Sequence, residues 1–392
     1  MLASRLHGIA PTIFAQMSAL AVRTGALNLG QGFPDADGPP EVIAAAVSAL
    51  EHGANQYAPG IGIAALRQAI SRHQQRHYGL GLDPDTQVVV TTGCTEAVAA
   101  ALLGLVDPGD EIVVLEPFYD SYVAMIQMAG GVRRPVTLRA PDFRLDVDEL
   151  RAAVTGRTRF VLLNSPHNPT GTVLTRAELG AVAELAVEHD LVVITDEVYE
   201  HLTFTDDTGA HEHVPIATLP GMFGRTLTLS SAGKSYSFTG WKVGWATGPA
   251  ELVGAVLAAK QWLTFTSGAP LQPAVAHALD EHPDFPLALA RDLQERRDVL
   301  CAGLRAAGLP TTTPEGTYFA TTDVQQLGWA DSLEFCLALP ERAGVVAIPA
   351  QGFYDDPDAP GAGRHLVRWA FCKERLLIAD GVRRLAEADL TR

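Results

Sequence analysis

One lysine stands among small and polar residues of the kinds that bind a phosphate and an aldehyde together. The segment is SSAGKSYSFTGWK, residues 230–242, and it follows an apolar, strand-like run. The amine of Lys234 could form a Schiff base with the aldehyde of pyridoxal 5'-phosphate (PLP), and nearby hydroxyls and Lys242 could bind the phosphate. This segment predicts a PLP site, and a solvated turn lysine is the alternative that the other motifs must outweigh.

Four more loops with chemically active residues also follow short apolar runs. They are TTGCTE (91–96), EPFYDSY (116–122), NSPHNPTG (164–171) and ITDEVY (194–199). The runs predict strands at 88–90, 111–115, 160–163, 191–194 and 226–229. Ligands bind outside the carboxyl ends of the strands in open α/β sheets, so the five loops are expected to converge on one site.

The residue types in these loops suit particular parts of such a cofactor. Amides at the helix start after TTGC suit a phosphate, although N-capping by Thr92 or Thr95 is the alternative. An aromatic ring of EPFYDSY could stack on a flat heterocycle, and core packing is an equal alternative for Phe118 and Tyr122. Asn168 can donate to a phenolate or a carboxylate. Asp196 could keep a pyridine nitrogen protonated, with helix capping as its alternative.

The elements that position these loops predict an α/β fold. Short runs rich in Val, Leu and Ile alternate with longer Ala- and Leu-rich segments of helical period, which indicates a mainly parallel sheet flanked by helices. A chain of 392 residues exceeds what one core usually serves, so a second, smaller α+β domain is expected. We predict a large domain at 45–285, and a small domain with an N-terminal arm at 1–44 and 286–392. Its expected elements are a helix at 287–307, a strand at 316–319 and a helix at 376–387.

Composition narrows the class of protein. The formal net charge of -16 disfavours nucleic acid as a partner. The four cysteines form no CxxC pair, which predicts a reducing, cytoplasmic location without disulfides or a zinc site. No signal peptide or membrane segment is predicted. The HEH sequence at 211–213 lies in a polar stretch and is interpreted as a solvated loop, so no metal is predicted.

Taken together, these motifs resemble the class I/II, fold-type-I PLP-dependent aminotransferases. The resemblance runs from NLGQGFPD at 28–35 to LVRWAFCK at 366–373. Within the family, the chain resembles the subgroup of kynurenine aminotransferase/glutamine transaminase K, methionine aminotransferase and actinobacterial N-succinyldiaminopimelate aminotransferase. The resemblance implies amino transfer between an amino acid, with glutamate preferred, and a 2-oxo acid. Among the subgroup's activities, N-succinyldiaminopimelate aminotransferase is the preferred prediction.

The resemblance also implies roles for single residues. Lys234 would hold the cofactor as a Schiff base, act as nucleophile, and carry a proton as general base. Asp196 would pair with the pyridine nitrogen, and Asn168 and Tyr199 would hydrogen-bond the phenolic oxygen. The other implied cofactor contacts are the ring of Tyr119, the amides of Cys94 and Thr95, the side chains of Ser231 and Lys242, and Tyr57 reaching across from the partner subunit of an obligate homodimer.

The substrate side is less fully specified. The resemblance implies that Arg368, Asn168 and the Gly32 amide hold the substrate α-carboxylate, since a guanidinium binds a carboxylate through two parallel hydrogen bonds. Many relatives carry arginine where Lys242 stands, and lysine lacks that fork. The side-chain pocket is expected near residues 11–14 and 262–266. Ile13 disfavours a strictly aromatic substrate, and Arg23 and Arg133 are candidates for binding a second carboxylate.

Three other functions share parts of the pattern. A PLP-dependent β-lyase that cleaves C–S bonds would use the same cofactor residues. A nicotinamide dehydrogenase is suggested by GIGIAA at 60–65, but NQYAP at 55–59 precedes it and is no strand. A non-enzymatic regulator on the same fold would need a basic DNA-binding extension, which the sequence lacks.

Overall fold

The predicted apolar runs form one central sheet. The structure is a computed structural model, and it describes residues 3–9, 12–207 and 209–392. The seven strands of the sheet are β2 (Val88–Thr91), β3 (Glu111–Glu116), β4 (Val132–Thr137), β5 (Thr158–Asn164), β6 (Val192–Asp196), β9 (Thr226–Ser231) and β10 (Gly244–Thr247). They lie side by side in the order β2, β10, β9, β6, β5, β3, β4. Strand β10 runs antiparallel to the other six, which are parallel to one another.

Both faces of this sheet are covered. Val88 and Val90 pack in one hydrophobic cluster, whereas Val89 between them packs in the other. Successive side chains of a strand point to opposite faces, so the two clusters are the two sides of the sheet. The near-continuous apolar composition of the strands follows from this double burial.

Helices supply the two covering layers. The helices are α1 (Ile13–Thr24), α2 (Pro40–Glu51), α3 (Ala64–Tyr78), α4 (Gly93–Leu105), α5 (Asp120–Ala129), α6 (Val147–Ala153), α7 (Arg176–Glu188), α8 (Ala232–Ser235), α9 (Ala250–Lys260), α10 (Leu271–Glu281), α11 (Phe285–Ala306), α12 (Ser332–Ala343) and α13 (Arg375–Glu387). Helix α4 packs on α9 and α5, while α10 packs on α2 and α3.

A second, antiparallel sheet lies near the end of the chain, with the strand order β11, β12, β15, β14. Its strands are β11 (Thr311–Thr312), β12 (Phe319–Asp323), β14 (Ile348–Pro349) and β15 (Leu366–Ala370). The remaining short strands pair β1 (Leu27–Asn28) with β13 (Val345–Val346) and β7 (Thr205–Asp206) with β8 (Gly209–Ala210). Parallel pairing of β1 with β13 ties the N-terminal segment to this unit.

All five predicted central strands are present, within a few residues at each end. Two strands of the sheet escaped prediction. Strand β4 reads VRRPVT and lies at the sheet edge, where proline and charged side chains are tolerated. Strand β10 has only four residues. The predicted strand at 316–319 was wrong in its bounds, because β12 begins at Phe319 and Gly316 forms only an isolated bridge to Thr203.

The predicted division into domains stays a prediction. Helix α2 runs without a break through the predicted boundary at 44/45, and α11 starts at the other boundary, 285/286. Among the described residues, no helix combines the length and apolar character that crossing a membrane requires.

Candidate active site

The carboxyl ends of β2, β5, β6 and β9 border one cavity of about 280 Å³. It brings together loops that lie far apart in sequence, as the strand pattern predicts. The predicted site residues that line it are Gly32, Cys94, Thr95, Tyr119, Asn168, Asp196, Tyr199, Ser231, Lys234, Lys242 and Arg368.

Lys234 projects into this cavity from the short helix α8, which directly follows β9. Its Nζ lies 3.5 Å from the Gly32 carbonyl oxygen, a long contact. Burial lowers the pKa of Lys234 to about 8. An amine with this pKa is partly neutral near pH 7 to 8, which makes it a competent nucleophile and base.

Asp196 is the last residue of β6 and is 6 % exposed. Its carboxylate accepts hydrogen bonds from the Tyr122 hydroxyl at 2.7 Å and the Val198 amide at 3.2 Å, and the Cys94 Sγ lies at 3.5 Å. These partners are neutral, and burial raises the pKa of Asp196. The residues after it form turns, so helix capping, the alternative considered for Asp196, is wrong.

A cradle for an anion lies at the start of α4. Gly93 has φ 73°, and a Cβ there would lie 3.1 Å from Nζ of Lys242, so glycine keeps the cradle open. The Thr92 side chain makes no capping hydrogen bond, and the first amides of a helix have no partner within it. Nζ of Lys242 lies 3.4 Å from Oγ1 of Thr95, and Ser231 lines the same cavity. This arrangement suits a phosphate.

A buried guanidinium also lines the cavity. Arg368 in β15 is 2 % exposed, and its Nη1 and Nη2 donate to Asn168 Oδ1 and the Gly30 carbonyl, each at 3.0 Å. Its Nε has no hydrogen-bond partner among the described residues. Burial lowers the pKa of Arg368 to about 10, so it stays cationic at neutral pH. A cation in this position suits a ligand carboxylate.

Aromatic rings complete the walls. Tyr119 lies edge-on to Tyr122 with ring centroids 5.6 Å apart, and Tyr199 lies edge-on to Tyr318 at 5.2 Å. Tyr318 donates its hydroxyl hydrogen to the Gly32 carbonyl at 2.6 Å. Burial raises the pKa of Tyr119 to about 12 and raises that of Tyr199 as well, so both hydroxyls stay protonated and can donate.

Residues 24–367 match the family model of the class I and II aminotransferases. The chain belongs to this aminotransferase family. It is 53 % identical to the probable N-succinyldiaminopimelate aminotransferase DapC of Mycobacterium tuberculosis, over 98 % of each chain. It is also 39 % identical to the methionine aminotransferase of Escherichia coli, over 98 % of this chain and 97 % of that one.

Solved structures agree with this membership. The N-succinyldiaminopimelate aminotransferase of M. tuberculosis superposes with a TM-score of 0.94 at 53 % identity, over 99 % of this chain and 100 % of that one. The aspartate aminotransferase of Thermus thermophilus with maleate gives 0.90 at 32 %, over 99 % of each. The predicted fold-type-I architecture is confirmed, and the chain is a PLP-dependent aminotransferase.

The cavity of this aminotransferase has residues suited to each part of PLP. When bound, PLP supplies an aldehyde carbon for an amine and a cationic ring that withdraws electrons from the substrate Cα. The chain offers the low-pKa amine of Lys234, an anion cradle at α4, and the buried carboxylate of Asp196, whose side-chain partners are neutral. Leaving Asp196 without a cation is costly unless a ligand provides one, so its environment fits a protonated ring nitrogen.

Sequence reasoning missed several residues that shape this aminotransferase site. Asn164 donates to the Asp196 carbonyl at 2.9 Å and accepts from the Asn168 amide at 2.8 Å, so it joins two of the loops. Its position at the head of NSPHNPTG was an available signal. For Tyr122 the sequence indicates only core packing or stacking. No sequence pattern points to Tyr318, which directly precedes β12 of the second sheet.

Some residues that the sequence analysis assigned to the site do not line this cavity. Tyr57 is 83 % exposed and lies edge-on to Phe265, with ring centroids 5.3 Å apart. Arg23 and Arg133 do not line the cavity, and Arg133 pairs with Asp355 at 2.6 Å. In the predicted side-chain segment 11–14, Pro11 lies outside the described residues, and Phe14 but not Ile13 lines the cavity.

Two segments outside the cavity, GIGIAA at 60–65 and HEH at 211–213, bear on the other interpretations of the sequence. The GIGIAA segment follows a turn and leads into α3 without a preceding strand, so it is no dinucleotide motif. The interpretation of 211–213 as a solvated loop was wrong for His213, which is 8 % exposed and contacts Glu197 at 3.0 Å.

Proposed function

We propose that this aminotransferase is an N-succinyldiaminopimelate aminotransferase of lysine and diaminopimelate biosynthesis. Glutamate and 2-oxoglutarate are the proposed amino donor pair, and N-succinyl-2-amino-6-oxopimelate is the proposed acceptor. The observation that carries the proposal is the 53 % identity to the M. tuberculosis protein over 98 % of each chain. Nearly complete mutual coverage means that no large segment of either chain lies outside the match.

The residues in the cavity support definite roles in this reaction. Lys234 is proposed as the attachment point of the cofactor and, once released, as the base that moves a proton at the substrate Cα. Its lowered pKa, about 8, suits both tasks. Asp196 and Tyr199 are the other proposed catalytic groups. Asp196 holds the ring nitrogen, while Tyr199 and Asn168 donate to the phenolic oxygen.

Substrate binding is proposed for the part of the cavity that Arg368 lines. Arg368 is proposed to hold the α-carboxylate together with Asn168 and Gly32, because its Nε has no partner in the part of the chain that the structure describes and its guanidinium is fixed by two hydrogen bonds. The face of Phe319 lies 4.0 Å from this guanidinium and limits its motion. A guanidinium held in this way would keep a bound substrate in one orientation.

We also propose a cytoplasmic homodimer with active sites at the subunit interface. The support is the exposed aromatic group formed by Tyr57, Trp262 and Phe265, with 83 %, 84 % and 53 % of their surfaces accessible. Exposed aromatic side chains in a group are typical of interfaces. Tyr57 is proposed to reach the phosphate of the partner subunit's cofactor. We also propose the division into a large domain at 45–285 and a small domain with an N-terminal arm at 1–44 and 286–392.

One observation favours a second substrate class. Phe14, Phe33 and Phe319 line the cavity, whereas Arg23 and Arg133, the candidates for a second carboxylate, do not. An apolar wall suits the side chain of methionine or an aromatic amino acid, and relatives at 39 % and 37 % identity are named for methionine and kynurenine. The second candidate is therefore a kynurenine-, glutamine- or methionine-type aminotransferase.

The deciding experiment follows the visible spectrum of the purified holoenzyme. Glutamate is added first and is expected to bleach the band of the enzyme-bound cofactor. Single 2-oxo acids are then added, and their efficiency in restoring the band is compared. Best restoration by N-succinyl-2-amino-6-oxopimelate supports the proposal, whereas best restoration by the oxo acids of methionine or phenylalanine supports the second candidate.

The same preparation distinguishes amino transfer from C–S cleavage. A β-lyase would release pyruvate and ammonia from a cysteine conjugate and need no 2-oxo acid. Formation of the new amino acid in a one-to-one ratio with 2-oxoglutarate is expected instead. Release of pyruvate as the main product would replace the proposed function with the lyase.

A further inference from the structure

A cluster of three histidines lies behind the active site, on the opposite face of β9. Ser231 of β9 lines the cofactor cavity, whereas the preceding Ser230 points the other way and donates to Glu200 at 2.6 Å. Beside Glu200 are His201, in the turn after β6, and two histidines of α3. We call His73, His77 and His201 the histidine cluster.

The three rings of the histidine cluster form a nearly equilateral triangle. Their centroids are 4.6 Å (His73 to His77), 5.0 Å (His73 to His201) and 4.7 Å (His77 to His201) apart. Nε2 of His73 lies 2.8 Å from Nε2 of His201, and one nitrogen from each ring lies within 4.8 Å of the others. Three imidazoles therefore point at one small volume.

We propose that the histidine cluster binds one divalent transition-metal ion of the Zn²⁺ class. Tetrahedral Zn²⁺ binds histidine nitrogens at about 2.0–2.1 Å, which places the ligand nitrogens roughly 3.3–3.4 Å apart. The cluster reaches that spacing by a small widening of the His73–His201 contact and a turn of the half-buried His77 ring. His73 and His77 are separated by one helical turn, the spacing at which two side chains of a helix share a ligand.

The cluster does not satisfy its own hydrogen bonds. His73 is 3 % exposed, and its Nδ1 has no hydrogen-bond partner among the described residues. A buried polar group without a partner is costly, and natural proteins keep few of them. In the contact between Nε2 of His73 and Nε2 of His201 only one nitrogen carries the shared hydrogen, and a bound ion would take the place of that hydrogen.

The surrounding charges favour a cation. Glu200 is buried and accepts hydrogen bonds from Tyr78 and Ser230, each at 2.6 Å, so a fixed carboxylate lies beside the cluster. Tyr78 also stacks on the His201 ring with an interplanar angle of 14°. The charge of Arg76, on the same helix, acts against a cation at His73 and His77, although its guanidinium donates to the Leu279 carbonyl at 2.9 Å. A bound ion would tie α3 to the turn that carries Tyr199.

The test uses untagged holoenzyme at pH 8, where ordinary histidine, with a pKa near 6.5, is neutral. Amino acids are left out, because they chelate metal. Zn²⁺ binding is measured by equilibrium dialysis, and Co²⁺ is added to a second sample to record visible d–d bands. His77→Ala is the test variant. His277→Ala is its control, because His277 is half-buried and its ring centroid lies 5.3 Å from that of His282, and the described residues place these two in no group of three metal-binding side chains.

The expected result is one ion per chain with the Co²⁺ bands of a tetrahedral site. In His77→Ala the affinity should fall at least about 10-fold, while His277→Ala should bind like the wild type. Zn²⁺ should raise the Tm of the wild type more than that of His77→Ala. No saturable binding by the wild type, or equal affinity in His77→Ala, would overturn the proposal.

Discussion

Two buried carboxylates of the central sheet have opposite surroundings. Glu111 begins β3 and is 0 % exposed, and it accepts hydrogen bonds from Arg134 at 2.6 Å, Arg157 at 2.5 Å and Thr155 at 2.6 Å. The bond from Arg134, followed by that from Thr155, lowers the pKa of Glu111 to about 2. Asp196 ends β6 with neutral partners, and burial raises its pKa.

The difference separates structural from functional burial of charge. At the amino end of the strands, the chain supplies cations for its own carboxylate, and nothing is left to bind. At the carboxyl end, the described residues give Asp196 no cation in hydrogen-bond contact, because the charge of Lys234 acts on it only from a distance, so a ligand that brings positive charge would offset more of the cost of its burial. The comparison predicts that changes at one end affect activity, and changes at the other affect stability.

The largest effect is expected for Lys234→Ala, which removes the reactive amine of the functional end. Loss of both nucleophile and base should lower kcat by at least about 10⁴-fold. Borohydride reduction of the holoenzyme followed by peptide mass spectrometry should locate the cofactor on Lys234 in the wild type. The free energy of unfolding of the apoprotein should not fall, because the amine makes only a 3.5 Å contact. Appreciable turnover would contradict the assignment of Lys234.

Asp196→Asn tests the functional half of the comparison directly. The amide keeps the size of the side chain but cannot hold a ring nitrogen in its protonated form, so we expect kcat to fall about 10³-fold. Tyr122→Phe is its control, because it removes the 2.7 Å hydrogen bond to Asp196 and keeps the carboxylate. If the Asn variant kept full activity while Tyr122→Phe lost it, the pairing of Asp196 with the cofactor would be ruled out.

These two predictions rest on residues that the sequence alone already placed. Lys234 and Asp196 were predictable because each follows a short apolar run, and the carboxyl ends of parallel strands meet at one edge. The neutral partners of Asp196 and the contact of Tyr318 with Gly32 were not predictable, since they join segments distant in sequence. The histidine cluster illustrates the same limit, because His201 is 124 residues away from His77 and 128 from His73 in the chain, and only folding brings the three rings together.

Arg368→Lys sharpens the comparison within the functional end. Lysine keeps the charge but loses the planar fork and the free Nε, so kcat/KM for the amino donor should fall about 100-fold, mostly through KM. Steady-state kinetics at varied glutamate concentration measure this. Cofactor affinity should stay the same, because the anion cradle is formed by the start of α4 and Lys242, and Arg368 contacts neither of them. A fall in kcat alone would place Arg368 in the chemical step instead.

Glu111→Gln tests the structural half. Arg134 and Arg157 lose their shared anion, but their side chains are 37 % and 71 % exposed and regain water, so the loss should be about 2 kcal/mol in the free energy of unfolding. Activity per folded molecule should stay within about twofold, because Glu111 lies at the far end of the strands. Denaturant titration and active-site counting measure the two quantities.

The stability difference between wild type and Glu111→Gln should also depend on pH. The folded-state pKa of Glu111 is lowered from 4.5 to about 2, so its contribution is complete above pH 4.5 and disappears as the pH falls toward 2. The two denaturation curves should therefore converge in acid. A difference independent of pH over that window would show that Glu111 stabilises the sheet by packing rather than by charge.

The smallest effect is expected for Tyr57→Phe. This variant tests whether one chain supplies all the residues that bind the cofactor at the carboxyl end of the strands. The hydroxyl is proposed to donate to the phosphate in the partner subunit, and a hydrogen bond to a charged group contributes about 1.5 kcal/mol at the low end of the usual range. The Kd for PLP should rise about 10-fold, measured by equilibrium dialysis of the apoprotein. The ring stays in place against Phe265, so the dimer should persist in sedimentation at the same concentrations. An unchanged Kd would mean that Ser231, Lys242 and the α4 amides bind the phosphate without help from the partner subunit. Each phosphate site would then be complete within one chain, as the hydrogen bonds of Glu111 are.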